Sequence, residues 1–506
     1  MNTVKEYALE LILKNLKSEE AKKPEHALLY IRLYRAIKNL IVQGNFPGNL
    51  SMPGTRTLAK KLCISRSTVI RAYEMLELEQ LIEVSKGCHY KVKKRSNINP
   101  GATESNFYLP KLQHLISNRG HSYIKSLPYL QQGSETELAF RPGIPPVDIF
   151  PVNQWKNLLN NYWRYIKASS LNYTHASGDH QLKEKIREYL LISRGISCLS
   201  EQIVIVSGSV QSIYLLANAL LDPGDRVLVE QPTFPNVIGI FLGAGADVVG
   251  LKCDDEGLIT EYLPSCGAGN KIKFIHLTPG SQYPLGMKLS LSRRREILEW
   301  AMQNDVLVVE NDYENEISQR NSMLPTLYSL DSNQRTLYLG TFNRLLYPSI
   351  RLGFMVVPMD LAPAITALQA HSHRFVSPYL QEVMRQFIDK NYLMAHLRNL
   401  VEVAAEREKL FRSLFPLTAE VGEWTNKGDT GSLNLTFALH GKDGGLSKEK
   451  QLLKQLLDSR CAAHPLSRCY LPGKDARGGL ILGYAAVSPP LMREKLDRLR
   501  RQIAHS

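Results

Sequence analysis

The sequence predicts a small N-terminal α+β domain followed by a large α/β domain with a mostly parallel sheet, which ends in a smaller α+β lobe. Charge is the first observation behind this division. Residues 1–100 contain 18 Lys and Arg against 9 Asp and Glu, a net charge of 18 − 9 = +9, so most of the net charge of +14 of the whole chain of 506 residues lies in its first fifth. The second is an alternation of short apolar runs with helical patterns from residue 138 onward, as in strands joined by helices. We therefore expect an N-terminal extension at 1–23, a first domain at 24–95, a linker at 96–137 and a large domain at 138–506, whose small lobe begins near residue 387.

Apolar residues at helical spacing predict helices in the extension and at the start of the first domain. In the extension, Leu9, Ile12 and Leu16 fall on one face of a short amphipathic helix, whose role the pattern does not reveal. In the first domain, helical spacing ends at Gly44, and a shorter helix follows at residues 57–62.

A third helix of the first domain presents a basic face. Ser65 has the side chain of an N-cap, and Arg66, Ser67 and Arg71 project from one side of the helix that follows it, where guanidinium groups can reach base edges or phosphates. The opposite, apolar face is formed by Val69, Tyr73 and Leu76. Two short strand patterns then meet at Lys86, which predicts a hairpin that could neutralise backbone charge.

The segment from Ile31 to Glu77, above all PGTRTLA and SRSTVIRAYE, resembles the winged helix-turn-helix of GntR-type DNA-binding proteins. The competing interpretation is a helical bundle with incidental arginines. The residues that we expect to contact double-stranded DNA are Arg56, Ser65, Arg66, Ser67, Thr68, Arg71, Lys86, Gly87 and His89.

The predicted linker differs from both domains in composition. Its stretches SNINPGATESN and SNRGHS are polar and rich in turn residues, and few apolar residues lie between them. We expect a connection with one helix docked on a domain.

The large domain resembles class I aminotransferases of fold type I. RPGIPPVDIFPVNQW opens it in the manner of that family, and LNYTHASGDHQLKEKIREYLLISRGI follows as the next family block. Together with the winged helix in front, the order of these motifs resembles the MocR/GabR regulators. The resemblance implies a pocket for pyridoxal 5'-phosphate and a head-to-tail homodimer, in which each winged helix crosses to the partner's large domain.

Several residues match the phosphate ligands of that pocket. SGSVQSIYLL places Ser209 at a helix N-terminus directly after a strand, where free N–H groups and the helix dipole favour a phosphate, although an ordinary capped helix has the same pattern. By the resemblance, Ser209 and Val210 hold the phosphate together with Thr341 and Arg351. Tyr173 resembles a tyrosine that reaches a phosphate across the dimer interface.

The residues expected around the cofactor ring depart in part from the family pattern. Phe234 occupies the position of the aromatic that stacks on the ring, although a core phenylalanine is the competing interpretation. Tyr313 matches the tyrosine beside the ring hydroxyl, but Asn311 stands where the family has an aspartate against the pyridine nitrogen. A neutral amide only hydrogen-bonds and does not keep the pyridinium protonated. Asp312 should point to the opposite face of its strand.

The family's Schiff-base lysine is replaced by Arg344 in YLGTFNRLLYPSIRLG. A guanidinium stays protonated and has no free lone pair to attack an aldehyde, so we expect no catalytic residue and at best non-covalent pyridoxal phosphate. Arg344 would either bind an anion or fill the cavity that holds pyridoxal phosphate in the family. A covalent alternative needs another lysine, and Lys288 is the nearest candidate in sequence. Arg477, near the end of the chain, does not align with the family's carboxylate-binding arginine.

The spacing of the cysteines and the length of the apolar segments bear on the cellular location of the protein and on whether it binds a metal. The seven cysteines are scattered without a C-x-x-C pair or zinc spacing, which favours buried thiols in a reducing compartment and no metal site. The N-terminus lacks the continuous apolar run of a signal peptide, and no stretch approaches a membrane span of about 18 apolar residues. We therefore expect a cytoplasmic protein with no membrane partner.

The sequence as a whole predicts a DNA-binding transcriptional regulator. Its aminotransferase-like domain would serve dimerisation and the sensing of an anionic small molecule. The alternatives are a regulator or aminotransferase that uses pyridoxal phosphate through another lysine or without a covalent bond, and a constitutive regulator whose large domain only pairs subunits.

Overall fold

The computed structural model divides the chain into two compact units, residues 1–114 and 115–506. Each unit is described by itself below. The structure describes residues 8–16, 28–85, 89–93, 112–130, 138–265, 271–318, 324–425, 432–473 and 475–504.

The first unit contains the predicted helices and hairpin. Its two strands pair antiparallel, with Ile82 opposite Val92 and Ser85 opposite His89. The elements are α1 (residues 8–16), α2 (Leu29–Val42), α3 (Thr55–Leu62), α4 (Arg66–Leu78), β1 (Ile82–Ser85) and β2 (His89–Val92). The winged helix-turn-helix architecture expected from the sequence is therefore present.

Local chemistry explains where the helices of this unit begin and end. Ser65 caps α4, because its Oγ accepts a hydrogen bond from the Thr68 amide at 3.1 Å. Cys63 ends α3 in the left-handed conformation, with a φ of 54°. The apolar face of α1 is buried in the same core as that of α2 and α4, so the N-terminal extension contributes to this unit.

The second unit alternates helices and strands, as the sequence predicts. The helices are α5 (Asn118–Leu130), α6 (Val152–Tyr165), α7 (His180–Arg194), α8 (Ser209–Leu220), α9 (Pro235–Gly243), α10 (Leu291–Gln303), α11 (Asn315–Ser318), α12 (Leu327–Leu330), α13 (Ala362–Ser372), α14 (Pro378–Asp389), α15 (Tyr392–Leu414), α16 (Leu446–Asp458) and α17 (Pro489–Ala504). The strands are β3 (Ile203–Val206), β4 (Arg226–Gln231), β5 (Asp247–Asp254), β6 (Gly257–Leu258), β7 (Ile272–Leu277), β8 (Leu307–Asp312), β9 (Thr336–Thr341), β10 (Gly353–Val356), β11 (Gly422–Trp424), β12 (Asn434–Leu439), β13 (His464–Pro465) and β14 (Gly479–Gly483).

Eight of these strands form one sheet in the order β3-β10-β9-β8-β7-β4-β5-β6. The pairings from β9 through β8, β7 and β4 to β5 are parallel, whereas β10 runs antiparallel to both β3 and β9. Because β3 and β9 are both antiparallel to β10, they run in the same direction. The carboxyl ends of β3, β4, β7, β8 and β9 consequently meet at one edge of the sheet, where ligands bind in open α/β folds.

A second sheet forms the predicted C-terminal lobe. Its strands are antiparallel in the order β11-β12-β14-β13, and α15, α16 and α17 belong to the same part of the chain. The lobe is not purely C-terminal, because Ala139 bridges to Cys461 and Gly483 donates a hydrogen bond to the Phe140 carbonyl.

Helix α5 lies inside the predicted linker but packs on α9 of the large unit. The two helices approach closely because α9 has glycines at the contact. A Cβ built on Gly239 would lie 2.8 Å from the Tyr129 Cβ, and one on Gly243 would lie 2.6 Å from the Tyr123 ring. The Tyr123 hydroxyl also donates to Asn218 Oδ1 at 2.9 Å. The division between the units at residue 114 thus falls within the predicted linker.

The described residues show neither a membrane helix nor a metal centre. None of the helices in these ranges combines the length and the apolar content that a membrane-spanning segment requires. Across the same ranges, no group of three His, Cys, Asp or Glu side chains is arranged to hold a metal ion.

Candidate functional site

A cavity of about 420 Å³ lies where the carboxyl ends of β3, β4, β7, β8 and β9 meet. Its volume is in the range of small-molecule sites in proteins. The residues that the sequence predicted and that line this cavity are Ser209, Val210, Phe234, Asn311, Tyr313, Thr341, Arg344 and Arg351.

One end of the cavity has the features of a phosphate site. Helix α8 begins at Ser209, and its first amides have no acceptor within the helix. Gly208 precedes it with a φ of 110°, and a Cβ there would lie 2.4 Å from Asn343 Nδ2. Thr341 Oγ1 accepts from the Asn343 amide at 3.2 Å, and the exposed Arg351 stands in the left-handed conformation just before β10. Asn343, which the sequence reasoning missed, therefore shapes this end.

Arg344 is held by a buried carboxylate. Its Nη1 donates to Glu314 Oε1 at 2.6 Å, and the Glu314 side chain is fully buried. The other oxygen of Glu314 accepts from Ser432 Oγ at 2.7 Å and from the Leu433 amide at 3.0 Å. Burial is the largest single influence and would lower the pKa of Arg344, but the charge of Glu314, the neighbouring Tyr313 and Tyr283 and the hydrogen bond to Glu314 together raise it. Arg344 is thus a permanent cation whose charge Glu314 balances.

Two aromatic rings contact this guanidinium, and a third stacks on one of them. Phe234 and Tyr283 stack with their ring centroids 3.5 Å apart, so Tyr283 covers one face of the residue expected to stack on a cofactor ring. The Arg344 Cζ lies 5.3 Å from the Phe234 centroid and 5.1 Å from that of Tyr313, which is within cation–π range. The Tyr313 hydroxyl donates to the Ser281 carbonyl at 2.8 Å rather than standing free.

Neighbouring residues of β8 face opposite sides of the sheet. Asn311 Nδ2 lies 3.3 Å from His276 Nε2, whereas its Oδ1 is buried and has no hydrogen-bond partner among the described residues. Asp312 points away from the cavity and accepts from Arg194 Nε at 3.0 Å and from the Tyr338 hydroxyl at 2.5 Å. The predicted orientation of Asp312 is confirmed, so it does not replace a carboxylate at Asn311.

The cavity is strongly basic, which the sequence reasoning did not anticipate in full. Arg141 and Arg468 line it in addition to Arg344 and Arg351, and no Asp, Glu or Lys is among its lining residues in the described part of the chain. Lys288, the lysine considered for covalent attachment, is therefore not in the lining. Arg141 lies in a family motif and Arg468 in the short 3-10 helix Leu466–Cys469, and neither position carries a spacing signal that would have singled it out.

Tyr173 lies outside this cavity. Its side chain is 78% exposed and contacts Phe375 edge-on, with Arg374 over its ring. Its role across a dimer interface stays a prediction.

The first unit presents the predicted DNA-binding face of α4. Arg66 Nε donates to Thr55 Oγ1 at 3.4 Å, and Arg71 lies 5.7 Å from the Tyr30 ring centroid. The side chains of Arg56, Ser65, Arg66, Ser67 and Arg71 are exposed, and that of Thr68 is half-buried. Lys86 and Gly87 lie outside the described residues; His89 is the first residue of β2, and its side chain is also outside them.

Family models match both units. The model of bacterial regulatory proteins of the gntR family matches residues 29–89. The model described as aminotransferase class I and II matches residues 145–499. The order of the two matches is that of the two units.

Individual relatives combine the same two parts. The chain is 30% identical over 487 residues to the probable rhizopine catabolism regulatory protein MocR of Rhizobium meliloti, covering 93% of each chain. It is 24% identical over 479 residues to the pyridoxine biosynthesis transcriptional regulator PdxR of Corynebacterium glutamicum, covering 94% of this chain and 95% of that one. The crystal structure of Pyrococcus horikoshii kynurenine aminotransferase in complex with PMP is 25% identical, with a TM-score of 0.67, and covers 78% of this chain and 98% of that one.

Proposed function

Since this chain belongs to the MocR-type transcriptional regulators, which join a GntR-type DNA-binding domain to a domain of the aminotransferase class I and II family, we propose that its large domain is a non-catalytic sensor of an anionic small molecule. The first unit binds operator DNA, and the large unit pairs two subunits and holds the ligand. The ligand binds without a covalent bond to the protein.

The observation that carries this proposal is the arginine at position 344. Its charge is balanced by Glu314 and its guanidinium lies against Gly143, so it fills space beside the aromatic rings. A guanidinium does not act as a nucleophile toward an aldehyde at neutral pH. The lining of the cavity offers no lysine in the described ranges to take over that role.

Pyridoxal phosphate itself fits this cavity only in part. The amides at the start of α8, Thr341 and Arg351 suit its phosphate, and the unpartnered Oδ1 of Asn311 suits an N–H donor. Covalent attachment does not fit, and Tyr283 covers one face of Phe234. Non-covalent binding of a phosphorylated ligand is therefore what these residues support.

An absorbance spectrum and a thermal shift, both recorded with pyridoxal phosphate, test the proposal. We expect the protein to be stabilised without the near-visible band of a lysine adduct. In Arg344→Lys the band should appear and should disappear on borohydride reduction, because the amine then stands beside the same phosphate site. A borohydride-sensitive band in the unchanged protein, mapped to any lysine, would overturn non-covalent sensing. Absence of any shift with pyridoxal phosphate and with inorganic phosphate would overturn the phosphate site.

The DNA-binding part of the proposal rests on the exposed basic face of α4. Arg56, Arg66 and Arg71 are exposed cations on α3 and α4 and have suitable geometry for phosphate or base contacts. Binding through such contacts weakens as salt rises, because counterions are released from DNA.

A further inference from the structure

A second cavity, of about 740 Å³, lies in the large unit and is lined mainly by residues of α7, α11, α14 and α15. Its volume is in the range of small-molecule sites in proteins. In the described part of the chain, its lining has no residue in common with that of the cavity at the carboxyl ends of the strands, which we call the first cavity. The phosphate site and Arg344 therefore do not account for the second cavity.

Part of the lining of the second cavity is apolar and open to solvent. Ile192 on α7 is 81% exposed, and Met394 on α15 is 37% exposed, although both are large apolar side chains. An apolar ligand body placed against them would remove this surface from water, which is favourable in proportion to the area buried. The apolar and aromatic lining residues are Tyr189, Ile192, Ile388, Met394, Leu397 and Val401.

Glu316 of α11 brings a carboxylate to the same cavity. Its side chain is only 12% exposed, and its Oε1 accepts a hydrogen bond from the Tyr189 hydroxyl and pairs with Arg194 Nη2 at 2.5 Å. Its Oε2 accepts no hydrogen bond from any residue that the structure describes. This oxygen is therefore available to a donor on a ligand.

Arg194 does not by itself neutralise Glu316, because it is shared with a second carboxylate. Its Nε lies 3.0 Å from Asp312 Oδ2, and its side chain is 4% exposed. A carboxylate that is largely removed from water and has only a share of one cation is stabilised by additional positive charge. A cationic group of a ligand would supply this charge.

The charged lining residues as a set also favour a cation. Lys185 lies between two carboxylates, 3.1 Å from Glu188 and 3.0 Å from Asp389. The acidic lining residues are Glu188, Glu316, Asp389 and Glu402, and the basic ones are Lys185, Arg194 and Arg398. Acidic side chains thus outnumber basic ones here, whereas the first cavity is lined by arginines and by no acidic residue among those described.

We propose that the second cavity binds an organic cation with an apolar body, and that the ammonium or guanidinium group of this ligand pairs with Glu316. The apolar body lies against Ile192 and Met394. The site differs from the phosphate site of the first cavity in its residues and in the charge of its ligand, so it goes beyond the proposed sensing of an anion.

Three compounds test the site by ligand-observed NMR titration of the unchanged full chain. 4-Phenylbutylamine carries an ammonium group on an apolar body, 4-phenylbutan-1-ol has the same body without the charge, and butylamine has the charge on a smaller body. We expect 4-phenylbutylamine to bind at least about tenfold more tightly than the alcohol, as a charge-assisted contact gives. It should bind about tenfold more tightly than butylamine, because its phenyl ring is also removed from water.

Three variants assign the preference for the amine to named residues. Glu316→Gln keeps an acceptor for Tyr189 but removes the charge, and should reduce the affinity ratio of amine to alcohol toward one. Ile192→Ser, at an exposed position, should weaken the amine and the alcohol alike and leave their ratio unchanged. Glu299→Gln, an exposed change on α10 outside the lining, is the matched control and should leave both affinities unchanged.

Each contrary result overturns a stated part of the proposal. Equal affinities of the amine and the alcohol in the unchanged protein would exclude a cationic ligand. A preference that survives Glu316→Gln, or that Glu299→Gln removes equally, would show that Glu316 is not the partner. If 4-phenylbutylamine does not bind, the proposed site is wrong. The affinity ratio in the unchanged protein does not depend on the folding of any variant, and none of these results depends on phosphate binding, so this site and the sensing of an anion are tested separately.

Discussion

Arg344 occupies the position where a family lysine is expected, and its neighbours fit the larger cation. Gly143 leaves room for the guanidinium: a Cβ there would lie 2.6 Å from Arg344 Nη1. Glu314 balances its charge and also accepts hydrogen bonds from Ser432 and Leu433, the two residues before β12. The pair therefore joins the large unit's cavity to the small lobe.

Removing only the cation of this pair should destabilise the large unit. Arg344→Ala leaves the carboxylate of Glu314 buried and without its partner, for which we expect a loss of about 3–5 kcal/mol. Differential scanning calorimetry of the unfolding transition of the large unit measures this loss of stability. The double variant Arg344→Met with Glu314→Gln removes both charges and should recover most of the loss. If the Arg344→Ala variant is as stable as the unchanged protein, the role assigned to the pair is wrong.

At the scale of elements, α4 combines a buried face with a DNA-facing one. Val69, Tyr73 and Leu76 are fully buried, and the Tyr73 hydroxyl donates to the Pro53 carbonyl at 2.8 Å. This packing fixes the rotation of α4, so that Arg66 and Arg71 remain exposed. Ser65 serves the helix as its N-cap while standing on the same exposed side.

Two substitutions at Ser65 separate its capping role from its predicted DNA contact. Ser65→Ala should cost about 1 kcal/mol of stability in the first unit, because the Thr68 amide loses its acceptor. Ser65→Asp should retain the cap and the stability but weaken operator binding, since a negative charge would face the DNA phosphates. Thermal unfolding and fluorescence anisotropy with operator DNA measure the two effects. If Ser65→Asp binds DNA as tightly as the unchanged protein, the predicted contact face of α4 is wrong.

At the scale of the whole molecule, the large unit exposes several large apolar side chains within the segment 163–173. Trp163, Tyr165 and Leu171 are 53%, 74% and 63% exposed, and Tyr173 is 78% exposed. Exposed aromatic and aliphatic side chains of this kind are enriched at association surfaces. This segment is where we expect the second subunit of the homodimer to bind.

Charges placed in the segment 163–173 should weaken the dimer. Tyr165→Asp combined with Leu171→Asp should shift the sedimentation coefficient toward that of a monomer at micromolar concentration, because burying unpaired carboxylates is unfavourable. Tyr262→Asp, at a tyrosine that is 53% exposed elsewhere on the same unit, is the matched control and should leave the assembly unchanged. An unaltered dimer in the double variant would show that association uses another surface.

The sequence by itself determined the two-part organisation, the elements of the winged helix and the type of most residues around the cavity. Those features depend on local signals: the periodicity of Val69, Tyr73 and Leu76, the capping residue Ser65, and the motif around Arg344. Even the outward orientation of Asp312 follows from the alternation of side chains along a strand.

Only the tertiary structure decided how these residues are engaged. The contacts around the cavity join segments that are distant in sequence. They include the pairing of Arg344 with Glu314, the stacking of Tyr283 on Phe234, and the positions of Arg141 and Arg468 in the cavity lining. A helix docked on one of the domains was expected in the linker, but only the structure shows that α5 contacts α9 and Arg468 and that its Tyr129 lines the cavity. Such contacts depend on packing and charge balance in three dimensions, which have no periodic signature in the chain.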